Sequence, residues 1–202
     1  MDPALIYLAS QSPRRAELLR QLGVLFEVVH APVDESFQYG ESPDRYVLRV
    51  ARMKAEAALA LLGDKADRPL LTADTAITLD GRILGKPRDR ADGLVMLAQL
   101  SGRTHQVLSG LVVWTPDGVR QALSTSTVSF RTLAPDEAAV YWETGEPADK
   151  AGAYAIQGRG AVFVERLEGS YSGVMGLPLY ETAQLLRSAG IEILLEDRES
   201  EE

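Results

Sequence analysis

The stretch LIYLASQSPRRAELLRQL, residues 5–22, decides the architecture. Leu5 to Ala9 is an apolar run of strand length, and Ser12-Pro13 supplies a helix cap and a proline for the first helical position. The helix is predicted to run to about Leu22. Working outward, Val24 to His30 reads as a second strand and Ala31 to Glu41 as a polar loop. Ser42-Pro43 then repeats the cap-proline start for a long helix ending near Gly63, with Val47, Val50, Ala51, Ala58 and Leu61 at helical spacing. Pro69 to Ala73 is the next strand. Strand, helix, strand, helix, strand is the order of an α/β chain.

Two hairpin signals follow. Asp80-Gly81 lies between Ala76 to Leu79 and Arg82 to Leu84, and Asp117-Gly118 lies between His105 to Thr115 and Val119 to Arg131. Arg90 to Leu100 reads as a helix between them. A helix from Pro135 to about Thr144, a Gly-rich segment from Gly145 to Gly160, a strand from Ala161 to Leu167, a helix from Pro178 to Ala189 and a strand from Ile191 to Leu195 complete the pattern. No repeat or linker interrupts it, so residues 1–195 are expected to form a single α/β domain. Residues 196–202, with five acids and one arginine, are expected to be a solvated, frayed tail.

Composition narrows the chemistry. Of 202 residues, 46% are hydrophobic and 25% charged, the balance of a globular chain with a buried core. The longest run without a charge, Thr104 to Pro116, is too short to span a membrane. The first thirteen residues carry no Lys or Arg, so no signal peptide is expected and a cytoplasmic address is. Without cysteine, and with only His30 and His105, thiolate sites and imidazole clusters are excluded. Any metal is expected to be a hard, oxygen-ligated ion such as magnesium or manganese. The net charge of −8 disfavours general nucleic-acid binding but leaves room for a local basic pocket.

Several residues could build such a pocket. Arg14 and Arg15 fall at the second and third positions of the first helix, at its positive end, costing roughly 0.3 to 1 kcal/mol each unless an anion joins them. With Ser10 and Ser12 they form either a phosphate site of the helix-terminus type or a capped helix with solvated arginines. Lys54 interrupts the apolar stripe of the long helix, so it either snorkels outward or points into a cleft toward an anion. Asp74-Thr75 follows the apolar run Leu70 to Ala73, where a carboxylate is a turn residue, a cap or a ligand-facing group. Lys86, in Gly85-Lys86-Pro87, ends the hairpin that begins beside Asp74, so it either joins the carboxylate at one cleft or sits in an ordinary exposed turn. Asp34-Glu35, and Glu146, Asp149 and Lys150, read as solvated decoration of loops. His105 is expected to be a strand residue facing a hydrogen-bond partner. No dinucleotide fingerprint, P-loop or G-x-S-x-G elbow occurs.

Taken in order, Leu8 to Leu19, Val33 to Ser36, Lys54-Ala55, Ala73 to Thr75, Gly85 to Pro87, Thr144 to Gly158 and Val174 to Pro178 resemble the Maf family of nucleoside-triphosphate pyrophosphatases, also described as septum-formation inhibitors. The resemblance implies an elongated mixed sheet flanked by helices, with two lobes and a central cleft, related to inosine-triphosphate pyrophosphatases. It implies hydrolysis between the α- and β-phosphates with a divalent cation. Asp74 matches the catalytic base, Ser10, Arg14, Arg15, Lys54 and Lys86 the phosphate-binding positions, and Glu35 a carboxylate near the metal, which Asp74 would share. Arg14, Thr75 and Gln157 are similar to the subgroup acting on dTTP and UTP. Ser109-Gly110 and Gly169-Ser170-Tyr171-Ser172-Gly173 depart from the Thr-Gly and Gly-Asp-Tyr-Ser-Asn that similar proteins often show. A nucleoside triphosphate is thus the expected partner, without nucleic acid or membrane, and the resemblance allows a homodimer. Two other classes compete with the enzyme: a nucleotide-binding regulator of septum formation without turnover, and a transferase, for which no acceptor site is recognisable.

Overall fold

The computed structural model describes residues 5–193. Its centre is a seven-stranded mixed sheet in the order β2-β1-β3-β5-β6-β7, with β4 paired to β3 off this path. Strand β1 (Leu5–Ala9) runs parallel to both β2 (Leu25–Val28) and β3 (Leu70–Leu79). The later strands β4 (Arg82–Leu84), β5 (Thr104–Thr115), β6 (Gly118–Phe130) and β7 (Val164–Glu168) pair antiparallel. Helix α1 (Pro13–Arg20) connects β1 to β2, and α2 (Pro43–Leu62) carries the chain back past β1 to β3. The two helices pack on opposite faces of the sheet, as right-handed crossovers in opposite directions require, so the loops after β1 and β2 diverge and a crevice opens at their carboxyl ends.

Residue alternation along β3 divides the core. Leu71 and Ala73 face α1 and α6 (Leu179–Ser188), whereas Ile77 and Leu79, on the same face, join a second core with α3 (Arg90–Leu100) and α4 (Pro135–Trp142). These two cores are the two lobes. On the opposite face Leu70, Val112, Tyr7 and Ala9 pack against Ala51, Ala55 and Ala58 of α2. That alanine stripe brings α2 close. Thr72 donates to the Ala51 carbonyl at 2.7 Å, and Gly110 lies where a Cβ would be 2.8 Å from the Val47 carbonyl carbon.

The structure differs from the sequence reading in places. The two runs Pro69 to Ala73 and Ala76 to Leu79 are one ten-residue strand, because β5 pairs with it continuously from Leu70 to Thr78. Ser12 and Ser42 occupy N-cap positions, but neither side chain makes the capping bond. Arg159–Phe163 is a 3-10 turn, so β7 begins at Val164 rather than Ala161. A short helix, α5 (Tyr171–Met175), arises where none was expected, its first turn capped by Ser170 accepting from the Gly173 N–H at 2.9 Å. Ile191 to Ile193 form no strand, and the rest of that expected element and the acidic tail lie outside the described residues.

Candidate active site

A gap in strand pairing creates the site. Strand β1 leaves β3 after Thr72, and β4 joins it only at Ile77, so Ala73 to Ala76 have no neighbour on that edge. A cavity of about 700 Å³ opens there, lined from both lobes and by the loops after β1 and β2. Five cationic side chains, Arg14, Arg15, Lys54, Lys86 and Lys150, line it against three carboxylates, Glu35, Asp74 and Asp149. A pocket with excess positive charge in a chain of net charge −8 favours a polyanion.

Asp74 lies on the α2 side of β3 and is only 5% exposed. The close approach of α2 lets Lys54 reach it, with Nζ 2.7 Å from Asp74 Oδ1 and 2.7 Å from Glu35 Oε1. Lys54 therefore takes the inward of its two expected courses. Burial pushes the Asp74 carboxyl above its ordinary pKa against the opposing pull of Lys54 and Arg15, and Glu35 adds to the rise. A buried carboxyl perturbed in this way within a cleft marks a candidate catalytic group. Glu35 comes from the loop after β2, which is pinned by Tyr46 donating to the Glu35 carbonyl at 2.9 Å and by the Arg49–Glu41 pair at 2.7 Å.

On the other face of β3, Arg15 is engaged by the protein. Its Nε donates to the Gly176 carbonyl at 2.8 Å, and its terminal nitrogens reach Ser10 Oγ at 3.4 Å and Thr75 Oγ1 at 3.3 Å. Burial lowers its pKa, opposed by Asp74 and Glu35. Thr75 also shares a 2.8 Å hydrogen bond with Ser109, which donates to the Gly173 carbonyl at 2.8 Å. The two segments that depart from similar proteins thus meet each other behind the cavity wall. Arg14 lines the cavity with its Nε buried and without an acceptor among the described residues. Lys86 comes from the segment after β4, and exposed Gln157 from the far lobe.

Sequence reasoning missed the roles of three residues read as loop decoration. Asp149 and Lys150 pair with each other on the cavity wall. Glu146 is part-buried rather than solvated, accepting from Tyr141 Oη at 2.6 Å, Arg159 N at 2.9 Å and Gly160 N at 3.1 Å. The only local signal was their place in a Gly-rich segment. His105, by contrast, meets its expected partner, with Nε2 2.8 Å from Tyr154 Oη.

The donor set suits a hard cation, since Asp74 and Glu35 already converge on one positive charge. No cluster of three or more His, Cys, Asp or Glu side chains occurs among the described residues, so further ligands would be water and substrate oxygens. No helix among the described residues is long and apolar enough to cross a membrane.

A dTTP/UTP pyrophosphatase of Methylobacillus flagellatus is 53% identical over 188 residues, covering 93% of this chain and 94% of that protein. Proteins of the same name from Cupriavidus metallidurans and Burkholderia pseudomallei are 54% and 56% identical, each over 196 residues. These matches cover 93% and 92% of this chain, and 98% and 94% of the relatives. The solved Staphylococcus aureus Ham1 protein matches 62% of this chain and 71% of its own at 16% identity and a TM-score of 0.41, too slight a likeness to assign anything. The Maf family model, described as Maf-like protein, matches residues 5–189, and the chain belongs to that family.

Proposed function

We propose that this protein hydrolyses dTTP and UTP to the monophosphate and pyrophosphate. The observation that carries the reading is buried Asp74 at the gap in β3, facing a cavity with excess positive charge. The names of the relatives favour turnover over a silent nucleotide-binding regulator. Asp74 accepts a proton from water, which attacks the α-phosphorus in line and expels pyrophosphate. Charge on the leaving group is met by Arg14, Lys54 and Lys86, because positioning and electrostatic stabilisation supply most phosphoryl-transfer catalysis. Arg15 contributes its buried charge while orienting Ser10 and Thr75. Magnesium or manganese, held by Asp74 and Glu35, would supply further stabilisation of phosphate charge.

Base choice falls to Gln157, whose amide can donate to O4 of uracil or thymine and accept from N3–H. Cytosine reverses both demands. Hydrolysis in ¹⁸O-labelled water tests the chemistry: label must enter the monophosphate and not pyrophosphate. A diphosphate with inorganic phosphate as products would refute it.

A further inference from the structure

An amide reads a base only if it is held in one orientation, and the structure contains a device able to hold it. Gln157 sits in the turn from Ala155 to Gly160, closed by the Gly158 N–H donating to the Ala155 carbonyl at 3.2 Å. Both ends of that turn are fastened to one side-chain pair on the α4 side. Tyr141 Oη accepts from the Ala155 N–H at 3.1 Å and donates to Glu146 Oε1 at 2.6 Å. The Glu146 carboxylate then accepts from the N–H groups of Arg159 and Gly160, at 2.9 and 3.1 Å. One tyrosine and one carboxylate thereby tie backbone groups two residues before Gln157 to groups two and three residues after it.

The fit is close. A Cβ on Gly158 would overlap the Glu146 carboxylate, so the turn and the acid pack against each other without clearance. Hydrogen bonds to an ionised acceptor are among the strongest in proteins. Burial acts to raise the Glu146 pKa, but the Tyr141 hydroxyl and the two N–H groups hold it below its ordinary value, so the acceptor form persists at neutral pH. A glutamine could not substitute, since its NH₂ group would face donors.

We infer that Glu146 and Tyr141 are positioning residues for base selection, fixing the backbone that aims Gln157 into the cavity. The inference rests on Gln157 reading the base. It predicts effects on binding of the preferred bases rather than on the chemical step, because the pair makes no hydrogen bond to Asp74 or to Arg14, Arg15, Lys54 or Lys86, and Glu146 meets the cavity cations only through the field of Lys150.

The test measures kcat and KM with UTP and CTP for the wild type, Glu146→Gln, Tyr141→Phe, Gln157→Ala and the two doubles that combine Gln157→Ala with each clamp variant. Losing the clamp should lower the UTP-over-CTP ratio of kcat/KM by about tenfold, mainly through KM for UTP. Adding either clamp variant to Gln157→Ala should lower that ratio no further, which general destabilisation would not produce. Should Glu146→Gln not fold, Tyr141→Phe carries the test, since it keeps the carboxylate and its two backbone donors. An unchanged ratio in the clamp variants with a lowered ratio in Gln157→Ala would overturn the positioning role and leave base reading by Gln157 standing. An unchanged ratio in Gln157→Ala would overturn base reading, and the inference with it.

Discussion

Acidification from pH 7 to pH 5 will destabilise this fold through one side chain, His105. It lies on β5 only 2% exposed, with its ring edge-on to Phe130 and Tyr154 at centroid distances of 5.1 and 5.5 Å. Nε2 meets the Tyr154 hydroxyl, while Nδ1 is buried with no acceptor among the described residues. A proton on Nδ1 would be a desolvated charge, and burial accordingly lowers the pKa from 6.5 to about 4. Between those values the unfolded chain binds more protons than the folded one. Stability therefore falls as pH drops through 6.5 and levels off below about 4. The two pKa values give a loss from this group of about 2 kcal/mol between pH 7 and pH 5. Urea unfolding at both pH values, on the wild type and His105→Gln, isolates the effect. Glutamine can still bond a hydroxyl but does not titrate. The variant will be less stable at pH 7, yet its loss on acidification should be smaller than that of the wild type by about 2 kcal/mol. Other titrating groups contribute alike to both proteins and cancel. Equal losses would refute the argument, and would mean that His105 finds an acceptor or water when protonated.

Asp74→Asn keeps the shape of the cavity but removes the base, so kcat should fall by roughly 10² to 10⁴-fold with substrate binding retained; near-full activity would move the base elsewhere, with Glu35 next in line. Arg14→Ala and Lys86→Ala should each raise KM and lower kcat together, because those cations meet phosphate charge before and during reaction; a pure kcat effect from steady-state kinetics would contradict this. Chelation should abolish turnover and added magnesium or manganese restore it, as followed by pyrophosphate release. Gly110→Ala forces a Cβ against the Val47 backbone and should cost about 1 to 3 kcal/mol in denaturant unfolding, with unchanged stability showing that α2 can shift away from the sheet.

What the sequence by itself determined is what short-range chemistry governs. Pro13 and Pro43 are set for the first helical turn by their fixed φ, and α1 and α2 start there. Asp80-Gly81 adopts left-handed geometry and the first hairpin turns on it, whereas the second turns one residue earlier than expected, on Pro116-Asp117, with Gly118 already paired to Thr115. The resemblance placed Ser10, Arg14, Arg15, Lys54, Asp74, Lys86 and Glu35 in one site, and all seven line one cavity. Spacing alone could not do that. Lys54 reads equally as a snorkelling lysine until α2 is laid against β3, and only the small residues Ala51, Ala55 and Gly110 let the helix come near enough for its amine to reach Asp74.

The tertiary structure alone decided the rest. The union of Leu70 to Ala73 with Ala76 to Leu79 depends on pairing with β5, from Leu70 with Trp114 to Thr78 with Gln106, across a separation that no local window records. The gap in pairing beside Asp74 exists because β1 stops pairing with β3 at Thr72 and β4 takes over only at Ile77. Glu146 looked like any acid beside a turn, and only the folded chain brings it two N–H donors from the turn after Gln157 and a third donor, the Tyr141 hydroxyl, from α4. Hydrogen bonds between residues distant in sequence have no period and no propensity, so they become legible only once the chain has closed around them.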